Sequence, residues 1–145
     1  MNLKNCILIM LASLLLLSCS GNKIDKADVE GIWFLKEIEG EEAAYLFGGG
    51  LPTLNFRWDD QKIYGTGGCN RYVANYKIEG NDIKIDSLVL TEVFCENIEI
   101  EKRFVSLLEG AAEIKVENIS IVFGDRKKIF LKFLKLDLSP EAETK

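Results

Sequence analysis

The sequence predicts a mainly β protein, a small antiparallel β-barrel-like domain of about eight strands with one α-helix. Beyond residue 30, apolar and polar residues alternate over short runs bounded by Gly, Asn and Asp, the signature of half-buried strands joined by turns. A single segment instead repeats its apolar residues at helical spacing: Ile100, Phe104, Leu107 and Leu108. The chain from Cys19 to Lys145 is long enough for one core but not comfortably for two, so one domain is expected.

The chain begins with a basic Lys4, an apolar run from Ile7 to Leu17, and Leu16-Leu17-Ser18-Cys19. That is the order of a secretory signal, with small residues ahead of a cleavage site. The run is eleven residues, short of the roughly 20 apolar residues a spanning helix needs, so residues 1–18 read as a cleaved signal peptide. Leu-Leu-Ser-Cys resembles the bacterial lipobox, which implies lipidation of Cys19 and a membrane anchor of several acyl chains. The alternative is an ordinary secreted protein with Cys19 in a disulfide. Residues 19–30 are polar and mixed in charge and read as a tether. Ser20 carries no strong retention signal, so the expected location is the bacterial cell envelope, lipid-anchored at the outer membrane.

The domain proper is expected over residues 31–136. Gly31 to Ile38 reads as a first strand with Trp33 and Leu35 on one face. Thr53 to Trp58 places Leu54, Phe56 and Trp58 together, and Asp59-Asp60 turns the chain into Gln61 to Gly65. Arg71 to Ile78 alternates strictly, with Tyr72, Ala74, Tyr76 and Ile78 on one face. Glu79 to Asp82 is a tight turn that brings Ile83 and Ile85 back as a hairpin. Ile98 to Glu109 is the helix, with Gly110 where it would stop, and its expected role is to plug or cover an open end of the curved sheet. Glu113 to Val116, Ile119 to Phe123 and Lys128 to Leu134 form a closing meander. Residues 137–145, with Pro140 and no apolar period, read as a disordered tail.

Composition excludes several chemistries. There is no histidine, hence no Ser-His-Asp triad or Cys-His dyad, and zinc binding is disfavoured. No EF-hand, P-loop or dinucleotide fingerprint is present, so no metal and no cofactor is expected. Loss of Lys4 with the signal takes the 18 basic residues to 17 against 23 acidic, and the net charge from −5 to −6. An acidic chain is a poor partner for nucleic acid. The acidic pairs Glu41-Glu42 and Asp59-Asp60 lie in loop-like sequence and read as solvated charge rather than an acid/base pair.

With Cys6 removed and Cys19 acylated, Cys69 and Cys95 remain, and outside the cytoplasm two such cysteines most simply form one disulfide. A redox or reactive-thiol role lacks the CxxC spacing that lowers a thiol pKa. Three glycines close together, Gly65, Gly67 and Gly68, suggest a bulge or sharp bend. A phosphate-cradling loop would require a helix to follow, where a strand follows instead. Tyr45 to Pro52 is a second glycine-rich stretch, in which Tyr45 and Phe47 are candidate contact residues. It reads equally as a partner-contact loop and as a loop folded back over the barrel mouth.

Trp33-x-Leu35, Gly65-x-x-Gly68-Cys69-Asn70-x-Tyr72 with Tyr76 downstream, and Thr91-x-x-x-Cys95 followed by a helix resemble the META domain family over about residues 31–135. The resemblance implies a small β-barrel-like domain with one helix, found in envelope lipoproteins and secreted proteins. The family is associated with stress tolerance, including antibiotic resistance, and with virulence or motility. It has no established catalytic residues, so Gly68, Cys69, Asn70, Thr91 and Cys95 carry over as signature positions of structural character. The functional expectation is a non-enzymatic envelope lipoprotein in stress tolerance or homeostasis. The alternatives are a barrel holding a small apolar ligand, or an inhibitor or assembly factor for an envelope protein.

Overall fold

A computed structural model of the chain describes residues 23–48 and 50–136. The signal segment 1–18, the lipidation candidate Cys19 and the tail 137–145 lie outside the described residues. The elements in chain order are α1 (Lys26–Val29), β1 (Ile32–Ile38), β2 (Glu41–Glu42), α2 (Ala43–Phe47), β3 (Thr53–Arg57), β4 (Lys62–Thr66), β5 (Arg71–Glu79), β6 (Asp82–Leu90), α3 (Ile98–Glu109), β7 (Glu113–Glu117), β8 (Ser120–Gly124) and β9 (Ile129–Lys135).

The expected mainly β, antiparallel class is observed. All nine strands among the described residues belong to one sheet in the order β2-β1-β3-β4-β5-β6-β7-β8-β9, and β9 pairs back onto β1 so that the sheet closes as a ring. β2 is a two-residue appendage on the end of β1, joined through the turn at Glu39-Gly40, where both residues take positive φ. Such a turn matches the twist of the strands it joins.

The ring closes unevenly. β1 and β9 are paired from Trp33↔Lys135 to Ile38↔Leu131, with a bulge between Leu35 and Glu37. β6 and β7 share a single register pair, Asp82↔Glu113. Two backbone bonds flank that pair, Ile83 N–H to Ala112 O at 3.1 Å and Ile114 N–H to Asn81 O at 2.8 Å. Beyond it α3 occupies the gap between the strands. This is the covering role expected of the helix, and its bounds are those the periodicity predicts.

The buried face of α3 is rotated from the predicted one. Glu101, Phe104, Val105 and Leu108 are buried, while Ile100 and Leu107 are only partly covered at its flanks. Gly110 follows the helix at φ −79°, within the right-handed region, so the helix ends without a left-handed residue.

β6 is longer than the predicted run at Ile83 and Ile85. It bulges where the register shifts opposite Ala74, and Ser87 there takes φ +54°. One extra residue shifts the inward set from Ile83 and Ile85 to Leu88 and Leu90, which pack against the core.

Aromatic side chains fill the interior of the ring. Tyr72 of β5, Phe104 of α3, Phe133 of β9 and Phe123 of β8 form a chain with ring centroids 6.1, 6.2 and 5.7 Å apart. Trp33, Leu35, Ile38, Leu54 and Ile63 are fully buried around it. The domain also begins before the expected boundary at residue 31. Asp25 caps α1 in a capping box, Val29 is buried, and the Trp33 indole N–H donates to Val29 O at 2.9 Å. Residues 23–30, assigned to the tether, are thus packed onto the domain.

Candidate functional site

The signature residues expected from the sequence meet at the open seam of the ring. The turn between β4 and β5 carries Gly67, Gly68, Cys69 and Asn70, and the β6–α3 loop carries Thr91, Val93 and Cys95. A disulfide joins Cys69 to Cys95, with Cα atoms 6.4 Å apart. Beside it, Asn70 and Glu101 are nearly fully buried, at 2% and 3% exposure.

Burial of a carboxylate is expensive unless hydrogen bonds replace its water, and here they do. Glu101 Oε1 accepts from the backbone N–H of Cys69 (3.1 Å) and of Asn70 (2.6 Å), and Oε2 accepts from Asn70 Nδ2 (2.7 Å). Asn70 Nδ2 gives its second hydrogen to Val93 O at 3.1 Å. Asn70 Oδ1 accepts from Thr91 Oγ1 (2.9 Å) and Val93 N–H (2.7 Å). The amide orientation follows from the acceptor-only carboxylate it faces. Two side chains thus tie together the β4–β5 turn, the β6–α3 loop and the helix.

The glycines make room for this polar knot. A Cβ on Gly67 would lie 2.7 Å from Glu101 Cγ, and one on Gly68, at φ +109°, would lie 2.6 Å from Phe47 Cδ1. Phe47, a candidate contact residue together with Tyr45, is therefore not available to a partner: it is 4% exposed and packs on Gly68. The start of the supposed loop folds as helix α2, whose chain end is held by Asn97 Nδ2 to Phe47 O at 3.3 Å. Tyr45 points outward at 85% exposure.

Glu101 was not among the residues the sequence singles out. Its signal is nevertheless present, since Glu101 stands three and seven residues before Phe104 and Leu108, on the apolar face of the helix. The acidic pair at Glu41-Glu42 behaves as surface charge. Glu41 accepts from Arg103 Nη2 at 3.0 Å, Glu42 pairs with Lys36, and Glu39 takes Arg103 and Lys128. Hydrogen bonds from Arg103 and then Lys128 hold the Glu39 carboxyl below its ordinary range. Burial pushes the Tyr72 hydroxyl up, and it donates to Thr53 O at 2.8 Å. Burial, aided by the Asp60 and Asp59 charges, pushes Tyr76 up to about 12. The hydroxyl of Tyr76 is buried with no hydrogen-bond partner among the described residues.

Between the outer half of β6 and α3 runs an open groove of about 1040 Å3, floored by Leu88, Leu90 and Val105 and bordered by Val93 and Phe94. The knot forms its inner wall through Asn70 and Glu101. Among the described residues no three His, Cys, Asp or Glu side chains gather as a metal site.

The META domain model matches residues 27–137. The chain belongs to the META domain family. No curated relative matches this META domain chain. Solved structures of other proteins share its fold. One described as an NMR structure of a protein has 18% identity and a TM-score of 0.60 over 77% of this chain and 93% of that one. A protein of the DUF4847 family from Bacteroides vulgatus has 14% identity and a TM-score of 0.55, covering 75% of this chain and 96% of its own. An NMR structure of a protein from Burkholderia xenovorans has 16% identity and a TM-score of 0.58, covering 82% and 93%. The META domain match begins four residues before the expected boundary, at the helix that buries Val29.

Proposed function

We propose that this META domain protein is a lipid-anchored envelope lipoprotein that acts without catalysis, through contacts made by its folded domain, in envelope stress tolerance or homeostasis. The observation that carries the anchor is the order Lys4, apolar run, Leu16-Leu17-Ser18-Cys19. Among the described residues no helix is long and apolar enough to cross a membrane. In support of a non-catalytic role, the polar groups gathered at the signature positions spend their hydrogen-bonding capacity on one another: both oxygens of Glu101 and both ends of the Asn70 amide are engaged. A general acid or base needs a free position facing a substrate.

The test is metabolic labelling with a palmitate analogue followed by membrane fractionation. The native chain should take up label and sediment with outer membranes, while Cys19→Ala should do neither. An unlabelled, freely soluble native chain would overturn the anchor.

A second reading, a binding domain for a small apolar ligand or an envelope protein, is favoured by the groove beside α3. The aromatic chain fills the ring's interior, so such a partner would sit outside the ring, against β6 and α3. Loss of stress tolerance on deleting the gene, restored by native protein but not by Cys19→Ala, would support the anchored role.

A further inference from the structure

β6 has a full partner in β5 on one side but meets β7 at a single register pair on the other. Beyond Asp82, the β6 edge facing α3 has no strand partner among the described residues. The direction of its free groups follows from two bonds. Ile83 N–H points to the β7 side, onto Ala112 O, and Thr91 N–H points to the β5 side, onto Arg71 O. Alternation along the strand, with one added residue at the Ser87 bulge, leaves the amides and carbonyls of Ile85, Leu88 and Leu90 directed at the open edge. Natural sheets cover or charge such an edge because it templates pairing with another chain. Here the edge opens instead into the groove of about 1040 Å3.

The rim presents an anchor. Phe94 is 90% exposed, and Val89 and Val93 beside it are also exposed. This exposure is not that of a loose loop: Asn70 grips Val93 at both its N–H and its carbonyl, and the disulfide holds Cys95. An exposed aromatic whose backbone is clamped on both sides offers a partner a large apolar contact at little cost in backbone ordering.

Charge selects the occupant. Glu92 follows the end of β6, and Glu109 ends α3 where the chain returns to the start of β6, so an exposed carboxylate stands at each end of the groove. Among the described residues the cation in the wall is Lys102, which donates to Glu99 at 2.7 Å. A second copy of this chain would bring its own Glu92 and Glu109 to the same rim, and like charges oppose such pairing.

We propose that the groove between β6 and α3 binds an extended peptide segment of a partner protein, apolar in alternate positions and basic at its ends, which adds to β6 as a further strand. This deepens the reading of the domain as a contact module but does not depend on the lipid anchor.

The probe is a synthetic peptide of alternating Val and Thr with Lys at both ends, set against the same peptide with Glu at both ends. It is titrated into the whole chain, in nanodiscs if membrane-bound and in buffer if not, with amide hydrogen exchange read residue by residue. The Lys-ended peptide should bind saturably and slow exchange at Leu88 and Leu90. Its affinity should fall at least ten-fold with Phe94→Ala, a surface change that leaves the fold intact, and should fall with added salt. Equal binding of the Glu-ended peptide would overturn the proposal, as would binding without protection at Leu88 and Leu90. Concentration-dependent dimerisation through β6 would assign the edge to a second copy and likewise overturn it. Failure of peptide binding in a chain that still labels at Cys19 would sink this inference alone; a soluble chain that binds the peptide would sink only the anchor.

Discussion

The ring has two seams, and they are closed by different physics. At β1–β9 a ladder of backbone pairs, backed by Trp33, Leu35 and Phe133, joins the first strand to the last. At β6–β7 one backbone pair is helped by a helix, a buried carboxylate, an asparagine and a disulfide. Ladder bonds are individually modest and repeated, so no single side chain decides that seam. The side-chain seam concentrates its stability in a few groups, and the same sparseness leaves an edge and a groove open. Closure by side chains is thus the more fragile solution.

The largest expected effect falls on the residue common to both halves. Phe104 touches Tyr72 on one side and Phe133 on the other, and Phe104→Ala should destabilise by about 3–5 kcal/mol in urea unfolding. A loss below about 1 kcal/mol would mean that the helix is not part of the core. Next, replacing both Cys69 and Cys95 by Ala should remove about 3.5 kcal/mol, from a loop closed over a sequence separation of 26 residues.

Glu101→Ala should cost about 3 kcal/mol, since three donors lose a charged acceptor. It should speed amide exchange at Asn70 and Val93 while the β1–β9 amides keep their protection, and Glu101→Gln should lose less. Equal acceleration at both seams would break the comparison.

Arg103→Ala should cost under about 1 kcal/mol, as its ion pairs to Glu39 and Glu41 are partly solvated. Glu39 has a depressed carboxyl pKa, so its contribution is present above the ordinary glutamate pKa and is lost as pH falls through the depressed value. Arg103→Ala should therefore flatten the decline of stability in acid. Smallest of all, Tyr76→Phe should change stability at neutral pH by less than about 0.5 kcal/mol, because the hydroxyl has no partner among the described residues. The native protein should lose stability as pH rises from 10.0 to about 12, where the unfolded tyrosine ionises and the folded one does not. The Phe variant should lack that part of the decline.

Much of the fold was legible because its signals are local. Strict alternation in Arg71 to Ile78 and the helical spacing from Ile98 to Glu109 each lie within a single element. The odd-to-even switch in β6, from Ile83 and Ile85 to Leu88 and Leu90, was written in the sequence too, yet a period-2 reading ends the strand at the bulge. Tyr45 and Phe47 read alike as apolar loop residues. A five-residue helix sends one outward and the other onto Gly68, which no local pattern distinguishes.

By itself, the sequence determined the mainly β class, the bounds of the long helix, the turns, the signal-like start and the expectation that Cys69 and Cys95 pair. These follow from periodicity, composition and count. Tertiary structure decided that β9 returns to β1, that β6 and β7 part after one pair, and that Glu101 goes inward. The reason is that a ring closes between residues about as far apart as the chain allows. A carboxylate, moreover, can be buried only where donors from Cys69 and Asn70, more than thirty residues earlier, arrive to replace its water.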